Sequence, residues 1–165
     1  MGLVKVVLGL LVFGVLLAVT GIAAGLWGNR PPLTEPPGPW RRLHVYLTTH
    51  VAATSPTSEF PELEPQRYDA PPHEVLAMAA DACRTFGWEP VAVDAGSGRV
   101  TAVVTSALWQ FKDDVTITVE ADSNRGSVLN VRSKSRVGRG DLAANANHLR
   151  QLFEGMNRRL APPSS

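Results

Sequence analysis

The 165-residue chain has a single cysteine, Cys83. One thiol makes neither an intramolecular disulfide nor, alone, a zinc site, and it stands too far from the N-terminus to carry a lipid. A disulfide scaffold, a zinc module and a lipoprotein are therefore excluded. Charge of one sign is also lacking. Sixteen Lys and Arg against 15 Asp and Glu leave a net +1, which gives no basis for holding nucleic acid by counterion release. Catalytic signatures are absent too. His44, His50, His73 and His148 have no HExxH or i,i+4 partner, and each reads as an ordinary histidine. Ser133 and Ser135 lie outside any GxSxG elbow, and there is no Walker loop, Rossmann loop or internal repeat. Neither a metal nor a cofactor is expected.

One long apolar run is present. Residues 6–28 carry no charge over 23 positions, with Lys5 before them and Arg30 after them. A hydrocarbon core of about 30 Å needs about 20 helical residues, whereas a signal-peptide core needs about 7 to 15. The run reads as a transmembrane anchor over 1–28. A cleaved signal is the competing reading, because Gly21, Ala23 and Ala24 offer small residues for a cleavage site. Gly14, Ala18, Gly21, Gly25 and Gly28 follow one another at spacings of 4, 3, 4 and 3, which places them on one narrow helix stripe. Such a stripe lets a second copy or a partner helix approach closely in lipid; frequent small residues in membrane helices give the same pattern without a partner. Lys5 opposes Arg30, Arg41 and Arg42 across the span, so positive charge alone favours a cytoplasmic domain. A short lysine-bearing flank instead resembles an uncleaved signal anchor, and we expect the domain on the extracytoplasmic, periplasmic side.

Residues 29–42 open with NRPPLTEPPGPW, whose five prolines predict an extended linker of roughly 35 Å rather than helix or central strand. From 43 to 160 the patterning is that of one α+β domain, and 161–165 read as a disordered tail. LHVYL at 43–47 alternates like a half-buried strand, and 48–68 reads as loop. Asp69 with Pro71 and Pro72 starts a helix whose apolar face is Val75, Ala79, Ala82, Cys83 and Phe86, stopped at Gly87. Runs at 88–93 and 99–111 flank the turn DAGSG. Val115, Ile117, Val119 and Ala121 alternate with polar residues, and DSNRG returns the chain into SVLNVRSKSRV, with Leu129, Val131 and Val137 on one face. Asp141 caps a last helix with Leu142, Leu149, Leu152, Phe153, Met156 and Leu160 on its apolar side. The fold class is α+β: a two-layer antiparallel sheet with two helices on one face, preceded by one N-terminal transmembrane helix.

A symmetric DSNRG hairpin sets Asp114 opposite Lys134 and Thr116 opposite Arg132. Asp114 then shares a face with Arg132, Lys134 and Arg136, while Asp113 shares the other with Ser133 and Ser135. Two readings follow. One is a cross-strand ion-pair and hydrogen-bond network that fixes register. The other is an anionic-ligand site, supported by Arg136, Gly138, Arg139 and Gly140 at the entrance to the last helix. Against the second, Asp141 as cap opposes an anion at the same end. Charge is segregated along the chain: residues 59–122 hold 12 acidic and 4 basic side chains, and residues 125–159 hold 8 basic and 2 acidic, so the halves can pair internally.

Phe111, Asp113, Asp114, Val131, Arg132, Ser133, Ser135, Arg136, Gly138, Asp141 and Asn145 together resemble one family, the bacterial proteins of the domain of unknown function 1499. The resemblance extends to 71–106 and departs at Gly140, where serine is usual, at Ala143, where glycine is usual, and at LTTHVAATSP, where a Pro-Asn-rich segment with cysteines is usual. It implies association with the cell envelope and no assigned reaction. The expected function is a membrane-anchored, non-catalytic binding or scaffold module for an anionic lipid, glycan or protein partner. The alternative is a membrane-proximal hydrolase using Asp113 and Asp114 with Arg132 and Arg136. Adjacent aspartates in a strand diverge and cannot flank one bond as an acid/base pair.

Overall fold

The computed structural model describes residues 2–106, 110–123 and 126–160. The tail expected at 161–165 and part of the DSNRG turn lie outside the described residues. Helix α1 spans Gly2–Asn29, α2 Pro39–Thr48, α3 Pro72–Thr85 and α4 Ala144–Leu160. The strands are β1 Val51–Ala53, β2 Gln66–Tyr68, β3 Glu89–Asp94, β4 Arg99–Thr105, β5 Lys112–Ala121 and β6 Ser127–Ser135. A short 3-10 turn, Pro61–Leu63, lies between β1 and β2.

β3, β4, β5 and β6 form the expected antiparallel meander, because short turns between alternating strands leave no length for a crossover. Both short strands pair with the free edge of β6, β1 beside Arg132, Ser133 and Lys134 and β2 beside Ser127, Val128 and Leu129. The two-residue period of β5 and β6 sends Val115, Ile117, Val119, Leu129 and Val131 to one face, where all are buried. Helices α3 and α4 cover that face with Val75, Ala79, Cys83, Leu149, Leu152 and Met156. Gly87 ends α3 with φ 70°, a left-handed geometry that costs glycine nothing. The two-layer α+β architecture is as expected.

Three local expectations are corrected. Residues 43–47 are helical, as part of α2, and the first strand comes later, at β1. Five alternating residues do not distinguish strand from helix. The residues that α2 buries are Arg42 and Tyr46, four apart, and Pro39 starts the helix. Residues 48–68 contain β1, the 3-10 turn and β2 rather than loop alone. Val137 is 64% exposed, because β6 ends at Ser135.

The proline-rich segment is not an extended spacer either. Backbone hydrogen bonds from Leu33 to Pro31, Glu35 to Pro32 and Gly38 to Glu35 turn it back on itself. Leu33, with Leu26 of α1, then packs on a second apolar cluster of Tyr46, Phe60 and Ala143. The residue that holds this arrangement is Arg42, fully buried. Its Nε donates to Glu35 O at 3.1 Å; one terminal nitrogen donates to Tyr46 Oη at 2.8 Å and to Glu62, and the other to Pro36 O at 2.5 Å and to Glu62 at 2.9 Å. All five N–H donors have acceptors, and the guanidinium lies 4.9 Å from the Phe60 ring centre. The pairing with Glu62 and the contact with Tyr46 hold the guanidinium charged against its burial.

α1 is 28 residues long, with a mean hydropathy of 2.7 in its most apolar window and none of that window buried. It is long and apolar enough to cross a membrane. Its last turns are held by the domain. Asn29 Nδ2 donates to Leu142 O at 2.9 Å, and Arg150 donates to Asn29 O at 3.1 Å and Arg30 O at 2.7 Å. Gly25 accepts the Leu142 side chain so closely that a Cβ there would lie 2.3 Å from Leu142 Cδ1.

Removing Arg42 leaves the largely buried Glu62 carboxylate unpaired and two backbone carbonyls without their donor. Arg42→Ala is expected to cost about 3 to 5 kcal/mol in urea unfolding. Arg41→Ala, which removes an exposed pair with Glu59, should leave the midpoint almost unmoved. Equal effects of the two substitutions would refute the role given to Arg42.

Candidate functional site

The register of the β5–β6 hairpin is the symmetric one: Asp113 lies opposite Ser135, Asp114 opposite Lys134, Val115 opposite Ser133 and Thr116 opposite Arg132. Asp113, Ser133 and Ser135 therefore face the helices and are buried, while Asp114, Arg132, Lys134 and Arg136 are exposed on the other face. The Asp113/Asp114 pair of the hydrolase alternative is divided between the two faces.

On the open face Arg136 grips Asp114 side-on. Nε lies 3.0 Å from both carboxylate oxygens, and a terminal nitrogen 2.6 Å from one. That hydrogen bond holds the Asp114 carboxyl below the usual carboxylate range. Both side chains are about half exposed, so the pair is weak in water. Among the described residues Arg136 is the direct partner of Asp114, and Lys134, which lies opposite it, adds a weaker electrostatic pull.

The entrance to α4 is closed by the chain itself. Asp141 accepts from the N–H groups of Ala143 at 2.9 Å and Asn145 at 3.3 Å, taking the donors that an anion would need. Burial pushes its carboxyl above the ordinary range. Gly140 lies under α2, where a Cβ would come within 2.3 Å of Leu47 O. Arg139 is exposed. Leu142 and Ala143 hold left-handed backbone, φ 52° and 69°; this is the geometry that favours glycine, and it turns Leu142 toward α1 rather than onto the apolar face of α4.

Beneath the sheet is a polar cluster centred on Asn145, which is fully buried. Its Nδ2 donates toward Asp141 at 2.6 Å, Ser135 Oγ at 2.8 Å and His50 O at 3.0 Å, and its Oδ1 accepts the Ser133 hydroxyl at 2.5 Å. With the Ser133 proton used there, Ser133 Oγ is left as an acceptor for His148 Nδ1, 3.2 Å away, which assigns the Nδ1–H tautomer; Asp113 Oδ2 lies 3.7 Å from the same nitrogen. Burial lowers the pKa of His148, and Asp113 opposes this more weakly, so the ring is neutral at pH 7. Ser133 and Asp113 converge on the same ring nitrogen, which is not the relay of a Ser-His-Asp triad.

His148 and Asp113 also form one wall of an open cleft of about 390 Å³, which runs from Asn29 at the end of α1 past Trp88 and Glu89 to Ser106 and Gln151. The Trp88 ring meets His148 edge-on, 5.8 Å between centres. Among the described residues no sealed side-chain nitrogen or oxygen lacks a partner. His148 Nε2 and the Asp113 oxygens, which accept no hydrogen bond within 3.5 Å from any described residue, consequently open on the cleft. His148 belongs to this site although its sequence spacing says otherwise. The available signal is a histidine at a core-facing position of α4, three residues after Asn145. No group of three His, Cys, Asp or Glu side chains that could hold a metal occurs among the described residues. Cys83 is buried, its thiol pushed up to about 11, and it serves as packing.

The family model described as "Protein of unknown function (DUF1499)" matches residues 44–156, from within α2 to within α4. The chain belongs to the DUF1499 family. The match takes in the whole Asn145 cluster and the cleft wall of this DUF1499 protein, and α1 lies outside it. No curated protein matches the chain. Among solved structures, CalU16 from Micromonospora echinospora is similar: it is 16% identical, over 68% of this chain and 85% of CalU16, with a TM-score of 0.37.

Two outcomes follow for the DUF1499 domain. Asn145→Ala leaves Ser133, Ser135 and a backbone carbonyl short of partners and is expected to cost about 2 to 4 kcal/mol, whereas Asp114→Ala barely changes the urea midpoint. The reverse order would place the structural network on the open face. The folded pKa of His148 is below its unfolded value, so the unfolded chain binds the proton more readily. Stability is then complete above pH 6.5 and falls as pH drops through the unfolded value toward the folded one. The buried Asp141 carboxyl, shifted upward, acts in the opposite sense, so the His148 contribution is read as the difference between wild type and His148→Gln in urea titrations at pH 7.5 and 5.5, where wild type should lose more stability toward the lower pH.

Proposed function

We propose that this DUF1499 protein is a single-pass, membrane-anchored, non-catalytic binding module of the bacterial envelope, with its domain seated against the bilayer on the extracytoplasmic side. The observation that carries the reading is the direct passage of α1 into the domain. Asn29 is bonded to Leu142 and Arg150, and it also lines the cleft. At 1.5 Å per residue α1 is about 42 Å long, against a hydrocarbon core of about 30 Å. Its last turn, where the exposed Trp27 and the docked Gly25 sit, then falls at headgroup depth, a level that suits tryptophan. The cleft opens beside that level. The site supports binding rather than turnover: His148 is the one basic nitrogen directed into the cleft among the described residues, and no activated nucleophile stands next to it. Gly25 is occupied by Leu142, so a partner helix would use the stripe at Gly14, Ala18 and Gly21, on the part of α1 clear of the domain.

Carbonate extraction should leave full-length protein in the membrane pellet, and release into the supernatant would reject the anchor. A C-terminal reporter active only outside the cytoplasm is expected; activity only inside would reverse the side. Gly25→Leu should stay in the pellet while residues 30–38 become sensitive to limited proteolysis. Unchanged protection would reject the seated domain.

A further inference from the structure

We propose that the cleft between α4 and the β4–β5 end of the sheet is a binding site for a primary ammonium group, with the Asp113 carboxylate and His148 Nε2 as its two inner acceptors. The proposal rests on the binding-module reading and gives it a ligand chemistry. Asp113 is 4% exposed, yet no described residue donates a hydrogen bond to its carboxylate, and the nearest nitrogen, His148 Nδ1, is 3.7 Å away and directed at Ser133. Asp113 is buried, but its oxygens are not sealed, so its acceptor capacity is directed outward into the cleft. The donor has to come from the cleft, because the helix side is occupied by the closed hydrogen-bond cluster of Asn145, Ser133 and Ser135.

The character of the lining selects a cation. The carboxylates of Asp113 and Glu89 and the lone pair of His148 Nε2 are the acceptors on the lining; Asn147 Oδ1 is already taken by Arg150 and Ser106 Oγ by the Phe111 N–H, and no lysine or arginine is itself among the described lining residues. An anion would meet two carboxylates there. A hydroxyl supplies one donor and no charge, while an ammonium supplies three donors and a positive charge, matching the acceptor set. A quaternary ammonium has the charge but no N–H and fails at His148. The same chemistry is available from an aminoalcohol lipid headgroup at the bilayer surface and from a soluble amine such as an amino sugar.

The test uses the full chain in dodecyl maltoside micelles at pH 7.5, where a failed titration would leave the anchoring result untouched. The imidazole Cε1–Hε1 resonance of His148 is followed by NMR as ethanolamine, D-glucosamine or dihexanoyl phosphatidylethanolamine is added, with ethylene glycol and dihexanoyl phosphatidylcholine as matched controls. The expected result is a saturable shift with the primary amines and none with the controls. Tighter binding of the phosphatidylethanolamine than of ethanolamine would assign the lipid source, and tighter glucosamine the soluble one. Loss of a charged acceptor in Asp113→Asn should weaken binding by at least about tenfold. The exposed Glu89→Gln should weaken it less, and Asp114→Asn, on the opposite face, not at all. No saturable shift with any amine, an equal shift with ethylene glycol, or unchanged titration of both Asp113→Asn and Glu89→Gln would overturn the assignment.

Discussion

The buried guanidinium of Arg42 is the constraint around which the part of the domain next to α1 is organised. An arginine with no solvent must place five donors, and here the acceptors come from three separate stretches: the turn at Glu35 and Pro36, Tyr46 one helical turn on, and Glu62 beyond β1. Those stretches cannot be arranged independently. Fixing them sets the direction of α2, which brings Leu47 over Gly140 and closes the apolar cluster beneath α1. A flexible tether would need none of this. The ion pair is a register device more than a source of net stability, because most of its Coulomb gain offsets desolvation.

The second polar centre, around Asn145 in the first turn of α4, works on the same principle. It joins β6 through Ser133 and Ser135, the start of β1 through the His50 carbonyl, and the helix cap through Asp141. An apolar side chain at 145 would fill the volume and specify none of these connections. Because the cluster fixes the Nδ1 side of His148, it also determines which ring nitrogen reaches the cleft. Structural and site chemistry are therefore coupled through one serine hydroxyl.

The meander, α3 and α4 were readable in the sequence because each is long enough to repeat its period, and the β5–β6 register followed from one turn and one alternation. The Asp113 and Asp114 faces came with it. What was not readable were the features set by contacts distant in sequence. LHVYL alternates as a strand does, and only the burial of Arg42, a residue whose charge argues for exposure, makes it helical. Five prolines suggested extension because what folds the segment, Leu33 on the Phe60 cluster and Arg42 on the Glu35 and Pro36 carbonyls, depends on contacts across the chain. β1 and β2 are three residues each, too short to carry a pattern, and exist because β6 offers them an edge. His148 was missed for the same reason: its partners Asp113 and Ser133 are neighbours through the sheet, not along α4.

The junction at Asn29 makes α1 and the domain a single lever. In a bilayer, a helix longer than the hydrocarbon thickness tilts to bury its apolar length, and the tilt follows the thickness. A domain on a loose linker would be indifferent to that angle. If α1 spans a bilayer as proposed, then with Leu142 wedged at Gly25 and Arg150 clasping the helix end, each degree of tilt would become a degree of pitch for the sheet, and the thickness of the surrounding membrane would lift the mouth of the cleft from the lipid surface or press it toward that surface.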